Sequence, residues 1–305
     1  AIMDHAKDAT TIEIINKMAS SKYFSINRYL DTESEVEGVF KEGKIKAVIV
    51  FEKDFGEKRV KNGQSTLQLI ADATDPNTYN QSINIHQVGG PQVMTQTHMA
   101  FNPEIKSVFM FVPGVMTIIL MLVSAMMTSI SIAKEKELGT MEILLVSPLK
   151  PFQVILGKVV PYILLSIINA IVIVLLSIFI FKMPVQGSLI LLGAESVLFI
   201  LTSLSLGILI STITETQQTA MMISLMGLML PVILLSGFIF PIASMPLPLQ
   251  VISNIIPAKW FIIIIKGIML KGVGIAFIWK ETLILIGMTL FFIGISTYKY
   301  KIRLE

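Results

Sequence analysis

The chain has 305 residues, of which 53% are hydrophobic and 15% charged, and its formal net charge is +3. Soluble domains carry roughly 25% charged residues, so this composition, with a mean hydropathy of +0.75, excludes a wholly water-soluble protein and an intrinsically disordered one. No nucleic-acid partner is expected at so small a charge. Because cysteine is absent, disulfide scaffolds, thiolate zinc sites and cysteine nucleophiles are also excluded.

Composition changes sharply near residue 106. All three histidines and most charges precede Ser107, and long uncharged runs dominate after it. A break of this kind predicts a domain boundary. We therefore expect a water-soluble domain at 1–106 and a membrane domain at 107–305.

Strand-like and helix-like segments alternate in the first domain, which predicts a small α/β fold. The run IKAVIVF is continuously apolar, as in a strand whose sheet is covered on both faces. A long helix is predicted to start at TDPNTYNQ, capped by Thr74 or Asp75, and to run toward the membrane. The histidines have no metal-ligand spacing, so no metal site is expected. The remaining predictions are strands at 1–4, 26–30, 45–51 and 67–72, and helices at 10–20 and 32–42.

Five runs in the second domain are apolar and long enough to cross a hydrocarbon core of about 30 Å as helices. The segment 241–280 is apolar but contains prolines, which interrupt helices, and lysines, which are costly at bilayer depth. We expect it to form short re-entrant or interfacial helices, with a sixth span through WFIIIIKGIML as the alternative. The predicted spans are about 107–133, 159–181, 188–213, 220–240 and 282–298.

Lysine and arginine in short loops favour the cytoplasmic side. The loop after the first span and the tail YKYKIRLE are both basic, which places them in the cytoplasm and residues 1–106 outside. An exported domain needs a preceding signal or span, and AIMDHAKDATT contains neither. We therefore expect one further transmembrane helix before Ala1.

The segment KEKELGTMEILLVSPLKP, residues 134–151, follows the first span. Thr140 is a suitable helix cap, MEILLV offers an apolar face, and Ser147-Pro148 would end the helix. A short amphipathic helix joined tightly to two spans can transmit a push from a cytoplasmic partner. The alternative is a charged interfacial loop that only anchors the span ends.

This segment resembles the signature of the ABC-2 type permeases, the membrane subunits of a class of ABC exporters, with an approximate pattern of (R/K)EKExGTxExLLVSPLxP. Lys134 stands where arginine is frequent, and lysine cannot make the bidentate contact of a guanidinium. SSKYF, EGKIKAVIVF and ADATDPNT are similar to the extracytoplasmic domain of the drug-efflux branch. LLSGFIFPIASMP and NIIPAKWFI are similar to the segments around its fifth span and re-entrant helices.

The resemblance implies an α-helical polytopic protein of the bacterial inner membrane, with a type V ABC exporter transmembrane domain and a small extracytoplasmic α/β domain. It implies a partner ATP-binding cassette subunit, a second permease copy (identical or a paralogue) and surrounding lipid, with a periplasmic adaptor as a further candidate partner. ATP and magnesium are expected in the partner, since this chain has no GxxxxGK[ST] loop and is not expected to be an enzyme or to hold a cofactor. By resemblance, the ATPase contact comprises Lys134, Glu135, Glu137, Gly139, Thr140, Glu142, Ser147 and Pro148.

Four other residues are candidates for a substrate path or gate. An ionisable group within a span indicates function, and Glu195 is one, near the predicted outer end where water could reach it. Asn169 is a candidate for a hydrogen bond between helices. Gly237 and Pro241 in SGFIFP are candidates for a helix break at the outer mouth. Gly207 and Gly287 lie in spans, where helix packing is the natural explanation.

The predicted function is export of a hydrophobic or amphipathic substrate from the cytoplasm or inner leaflet, driven by the separate ATPase. An ion-coupled transporter or channel is the first alternative, and it would require paired intramembrane charges or broken half-helices. A receptor that binds ligand with the outer domain is the second, and it would require a larger signalling region than the tail provides.

Overall fold

The computed structural model describes residues 1–20, 25–74, 93–140 and 151–302. The chain divides into two compact units, Ala1–Met110 and Phe111–Glu305.

The described part of the first unit contains a four-stranded mixed sheet in the order β1-β2-β3-β4. The pairs β1–β2 and β3–β4 are parallel, and β2–β3 is antiparallel. Three helices accompany the sheet, so the predicted small α/β domain is confirmed. The elements are β1 (Ile2–Asp4), α1 (Ala9–Ala19), α2 (Ser34–Lys41), β2 (Ala47–Phe51), α3 (Phe55–Asn62), β3 (Ser65–Asp72) and β4 (Val93–Ala100).

Strand β2 is apolar on both faces because each face meets a separate core. Ile49 and Phe51 belong to the core cluster that includes α1. Val48 and Val50 alternate with them and belong to the cluster that includes α2. The expectation drawn from IKAVIVF, a strand covered on both sides, is therefore confirmed.

Three features of this unit differ from the sequence predictions. Residues 26–30 form no strand, and only an isolated bridge joins Tyr29 to Ile2. Helix α3 was not predicted, because FGEKRVKN has no clear apolar period. Residues 93–100 form a strand rather than continuing a helix, since VMTQTHMA pairs in parallel with all eight residues of β3. The long helix predicted from Thr74 or Asp75 lies largely in 75–92, outside the described residues.

Five helices in the described part of the second unit's sequence are long and apolar enough to cross a membrane, which confirms the polytopic helical fold. The fourth of these spans, Gln217–Leu235, is one continuous helical segment that includes a π-helical turn at Leu225–Met229. The helices are α4 (Val108–Glu137), α5 (Pro151–Phe179), α6 (Leu189–Ile213), α7 (Gln217–Ser224), α8 (Leu230–Leu235), α9 (Leu247–Ser253), α10 (Pro257–Lys271) and α11 (Ile275–Ile302), with a 3₁₀ turn at Ile242–Ser244.

The segment 241–280 does contain the predicted short helices. Helices α9 and α10 meet at 80°, and α10 begins with Pro257, which is favourable at the first turn of a helix. WFIIIIKGIML lies within α10, and α9 and α10 together would be a sixth, bent span if the pair crosses the membrane, so the alternative of a sixth span stays a prediction. The depth of these helices in a bilayer stays a prediction.

Helix ends differ from the predicted span ends. The fourth span ends at Leu235 rather than near 240, because Gly237 takes φ +80° and the chain leaves the helix. The last helix begins at Ile275, seven residues before the predicted start at 282. Helix α10 ends at Gly272, whose φ of +64° is in the left-handed region that glycine enters without strain.

Among the five candidate spans in the described residues, α4 and α6 are the most buried, and they are called the inner helices below. In each, 56% of the most apolar stretch is buried, against 17% in α5 and in the Gln217–Leu235 span. The two inner helices approach closely where Gly207 of α6 meets Ala125 of α4. A methyl group at Gly207 would lie 2.4 Å from the carbonyl oxygen of Ala125, so Gly207 has the predicted packing role. Gly287 lies in open space and does not.

Candidate functional site

The first four residues of the predicted coupling segment form the last turn of α4 rather than the start of a separate helix. Helix α4 runs without a break to Glu137, and the chain then turns at Gly139, whose φ is +70°. Lys134 is exposed to solvent on this last turn. Residues 141–150 lie outside the described part of the chain, so Glu142, Ser147 and Pro148 stay predictions.

Thr140 folds back onto the end of α4. Its hydroxyl donates to the carboxylate of Glu135 and lies 3.3 Å from the carbonyl oxygen of the same residue. Glycine allows this reversal, because the left-handed conformation of Gly139 costs it little. Three members of the predicted contact, Glu135, Gly139 and Thr140, therefore form one local turn.

Lys136 extends from α4 to the end of α6. Its Nζ donates to the backbone carbonyl of Ser211 and to that of Thr214, at 3.3 Å. The last carbonyls of a helix have no partner within the helix, and the helix dipole makes this end partially negative. A lysine ammonium is therefore favourable there both as a donor and as a charge.

Glu137 makes the complementary contact with the start of α7. Its Oε2 accepts from the backbone N–H of Gln217 at 2.9 Å and from the side-chain amide of Gln217 at 3.2 Å. The first N–H groups of a helix lack internal acceptors and carry partial positive charge. Lys136 and Glu137 thus hold the two ends of the turn at 214–216, a contact that the sequence did not predict.

Glu195 is buried between α6 and α11, with 3% of its surface exposed, so the predicted access to water at the helix end is wrong. Its Oε1 accepts from the hydroxyl of Thr282 at 2.8 Å. Its Oε2 is buried and has no hydrogen-bond partner among the described residues. One oxygen of this carboxyl group is therefore free to bind something else.

A second buried carboxyl oxygen, on Glu281, also lacks a partner within the described ranges. Glu281 precedes Thr282 in α11. It was overlooked because the last span was predicted to start after it. No glycine or proline interrupts residues 275–286, so the sequence is compatible with a helix that starts earlier and includes Glu281.

Asn169 is half-buried on α5, and no hydrogen bond from its side chain to another helix is present in the described part of the unit. Ser166 makes that connection instead, with its hydroxyl 2.8 Å from the hydroxyl of Ser124 in α4. A similar buried pair, Ser129 and Ser224, joins α4 to α7 at 2.9 Å. Small hydroxyl groups, rather than the asparagine, link these helices.

Gly237 and Pro241 do mark a break in helical structure. The positive φ of Gly237 follows the end of α8, and Pro241 precedes the 3₁₀ turn. The break directs Phe238 onto α4, where its ring lies against Gly114 and meets Phe111 edge-on at 5.7 Å between centroids. Among the described contacts, no hydrogen bond joins any two of Glu195, Asn169, Gly237 and Pro241.

Residues 1–298 match the family described as "ABC-2 family transporter protein". The chain is 33% identical over 321 residues to the probable multidrug ABC transporter permease YbhS of Escherichia coli K12, covering 100% of the chain and 85% of the relative. It is 29% identical over 295 residues to the probable multidrug ABC transporter permease YbhR of the same strain, covering 92% and 80%. Identity to the inner membrane transport permease YhhJ, also of that strain, is 30% over 220 residues, covering 70% and 57%. No solved structure matches.

Proposed function

The chain belongs to the ABC-2 family of transporter proteins, and from this premise we propose that it is the permease subunit of an ABC exporter for hydrophobic or amphipathic compounds. A separate ATP-binding subunit would supply the energy, since the sequence contains no phosphate-binding loop of the GxxxxGK[ST] type. Two relatives are named as probable multidrug permeases, which supports substrates of this class.

The observation that supports the proposal is that the predicted coupling segment lies, in sequence, between two long helices. Helix α4 ends at Glu137 and helix α5 begins at Pro151, and both contain candidate membrane spans. A force applied to the segment between these two helix ends would therefore act directly on both spans. Because α4 is an inner helix in close contact with α6 at Gly207, a movement of α4 would also displace α6.

The Gln217–Leu235 span offers a surface suited to apolar substrates. Four methionines on it are exposed, Met221, Met222, Met226 and Met229, at 36% to 61% of their surface. Methionine side chains are flexible and polarisable, so a surface rich in them adapts to ligands of different shape. We propose that this surface lines the substrate path, in contact with lipid or with the second permease copy.

Glu195 is proposed as a polar group used in transport, on the basis of its buried oxygen without a hydrogen-bond partner among the described residues. In the proposed orientation the first unit is outside and the end of α4 faces the cytoplasm, where the ATP-binding subunit is available. Within residues 134–151, the part of the segment after Glu137 would contact that subunit.

An ion-coupled transporter is a second candidate because two carboxyl groups in the membrane helices, those of Glu195 and Glu281, each have a buried oxygen without a partner in the described ranges. Such groups mark ion and proton pathways in transporters. The family membership of the chain weighs against this candidate.

Transport into proteoliposomes distinguishes the two. The permease is co-expressed with its ATP-binding subunit, reconstituted, and tested with a panel of cationic and neutral amphiphiles. Uptake that requires ATP and is lost with a hydrolysis-deficient ATPase supports the exporter. Uptake by the permease alone, driven by an imposed proton or sodium gradient, would refute it and favour the second candidate.

A further inference from the structure

We infer that Lys136 and Glu137 form an ionic clamp that joins the end of α4 to the turn between α6 and α7, and so carry the movement of the coupling segment into two more helices. The inference rests on the proposed function for its consequence, but the clamp itself rests on geometry. By family resemblance Glu137 would instead contact the ATPase. Its described hydrogen bonds are with Gln217 of the same chain.

The clamp matches charge to helix polarity twice. Adjacent residues in a helix point about 100° apart, so two neighbouring side chains cannot contact the same point. Here the ammonium group of Lys136 contacts the carbonyl end of α6, and the carboxylate of Glu137 contacts the N–H end of α7. If either residue had the opposite sign, its charge would oppose the local end of the helix dipole.

The two threonine hydroxyls of the turn at 214–216 bond to groups other than those that Lys136 and Glu137 contact. Thr214 uses its hydroxyl on the carbonyl of Ile210, at 3.1 Å. Thr216 caps α7 by accepting from the N–H of Thr219, at 3.2 Å. These bonds leave the Ser211 and Thr214 carbonyls and the Gln217 N–H for Lys136 and Glu137.

The connected helices are the ones that carry the other candidate features. Helix α6 contains Glu195 and the close contact at Gly207, and α7 leads into the methionine-rich part of its span. Only three residues separate α6 from α7, so the two helix ends cannot move far apart. A clamp on this turn would make α4, α6 and α7 move as one group at this end.

Distance measurements on the permease alone in nanodiscs test the clamp. The chain has no cysteine, so spin labels can be placed at Leu138→Cys and Gln218→Cys, both exposed positions. Glu137→Ala should broaden and lengthen the distance distribution. Glu137→Gln should largely preserve it, because an amide oxygen still accepts both hydrogen bonds. Lys134→Met is the matched control, since it removes a charge from the same helix turn without touching either helix end.

The complex with the ATP-binding subunit then tests the consequence. Glu137→Ala should co-purify with the subunit as wild type does, and substrate stimulation of ATPase activity should fall by about 5-fold or more, the low end of typical coupling between sites. Glu137→Gln should restore most of this stimulation. Glu142→Lys, in the proposed ATPase contact, should reduce co-purification instead.

Two results would overturn the clamp: an unchanged distance distribution in Glu137→Ala, or loss of co-purification in Glu137→Ala equal to that in Glu142→Lys. The second would assign Glu137 to the ATPase contact. Failure of the proposed function is separate, because it would appear as no ATP-dependent transport by the wild-type complex. The distance measurement on the permease alone does not depend on that result.

Discussion

The contact between the two inner helices is directly testable by adding one methyl group. In Gly207→Ala, the new Cβ would lie 2.4 Å from the carbonyl oxygen of Ala125 and 2.9 Å from its Cα. Ordinary van der Waals contact begins near 3.4 Å, so α4 and α6 must separate by about 1 Å at this point. The obstructing atoms belong to the backbone of α4 and cannot rotate away.

The cost follows from overpacking, which typically destabilises by about 1–3 kcal/mol. Replacing a helical glycine by alanine returns up to about 1 kcal/mol through helix propensity, so a net loss of up to about 2 kcal/mol is expected. Gly193→Ala is the matched control on the same helix, because its Cβ would meet nothing within 4 Å. It should leave stability unchanged or raise it slightly.

The stability of both variants is measured by equilibrium unfolding of the full chain in mixed micelles. The micelles are titrated with sodium dodecyl sulfate, and unfolding is followed by tryptophan fluorescence and circular dichroism. The expected result is a lower midpoint for Gly207→Ala and an equal or higher midpoint for Gly193→Ala. If the two variants shift together, the close approach of α4 and α6 is refuted.

Three further results are expected. Glu195→Gln keeps the size of the side chain but removes its charge. It should reduce the stimulation of ATPase activity by cationic amphiphiles more than the stimulation by neutral ones. Equal stimulation by both kinds of compound would mean that Glu195 only contributes to packing. Asp8→Ala should expose the start of α1 and the Gly56 N–H to hydrogen exchange, because the Asp8 carboxylate caps α1 and accepts from Gly56 at 2.7 Å. A lost cap costs about 1 kcal/mol. Unchanged protection at both places would refute these two contacts of Asp8. An impermeant maleimide applied to intact spheroplasts should label Val60→Cys, and it should reach Leu138→Cys only after permeabilisation. The side chains of Val60 and Leu138 are both exposed. Labelling of both positions from outside would refute the proposed orientation.

Apolar runs predicted which segments are membrane helices, but charges predicted their ends poorly. Helix α4 continues through four charged residues to Glu137, and α11 begins before Lys280 and Glu281. Backbone hydrogen bonding does not stop where side chains become charged, and a charged turn is favourable where a helix leaves the bilayer. Glycine is the better signal, since Gly139, Gly237 and Gly272 all take positive φ just after a helix.

Strand β4 shows a second limit of local sequence patterns. VMTQTHMA alternates weakly, and its preference for a strand is decided by the neighbour that it pairs with. Eight residues of β3 offer a parallel partner from Ser65 to Asp72, and β propensity depends on such cross-strand packing more than on the segment itself. The pairing spans more than twenty residues of sequence, so no local period reveals it.

The same limit applies to the candidate site, but with a physical clue that remains in the sequence. The motif identified Glu137 as functional but not Lys136, and the contacts of both residues are 75 to 80 residues away in the chain. That partner is TETQQT, a polar break between two apolar runs, and a break of this kind means that two helices end near the membrane surface. Their end groups need polar partners that lipid tails cannot supply. A neighbouring lysine and glutamate can satisfy one carbonyl end and one N–H end at once, so a charged pair of opposite sign at one helix end is itself a reason to search for a helix–turn–helix elsewhere in the same chain.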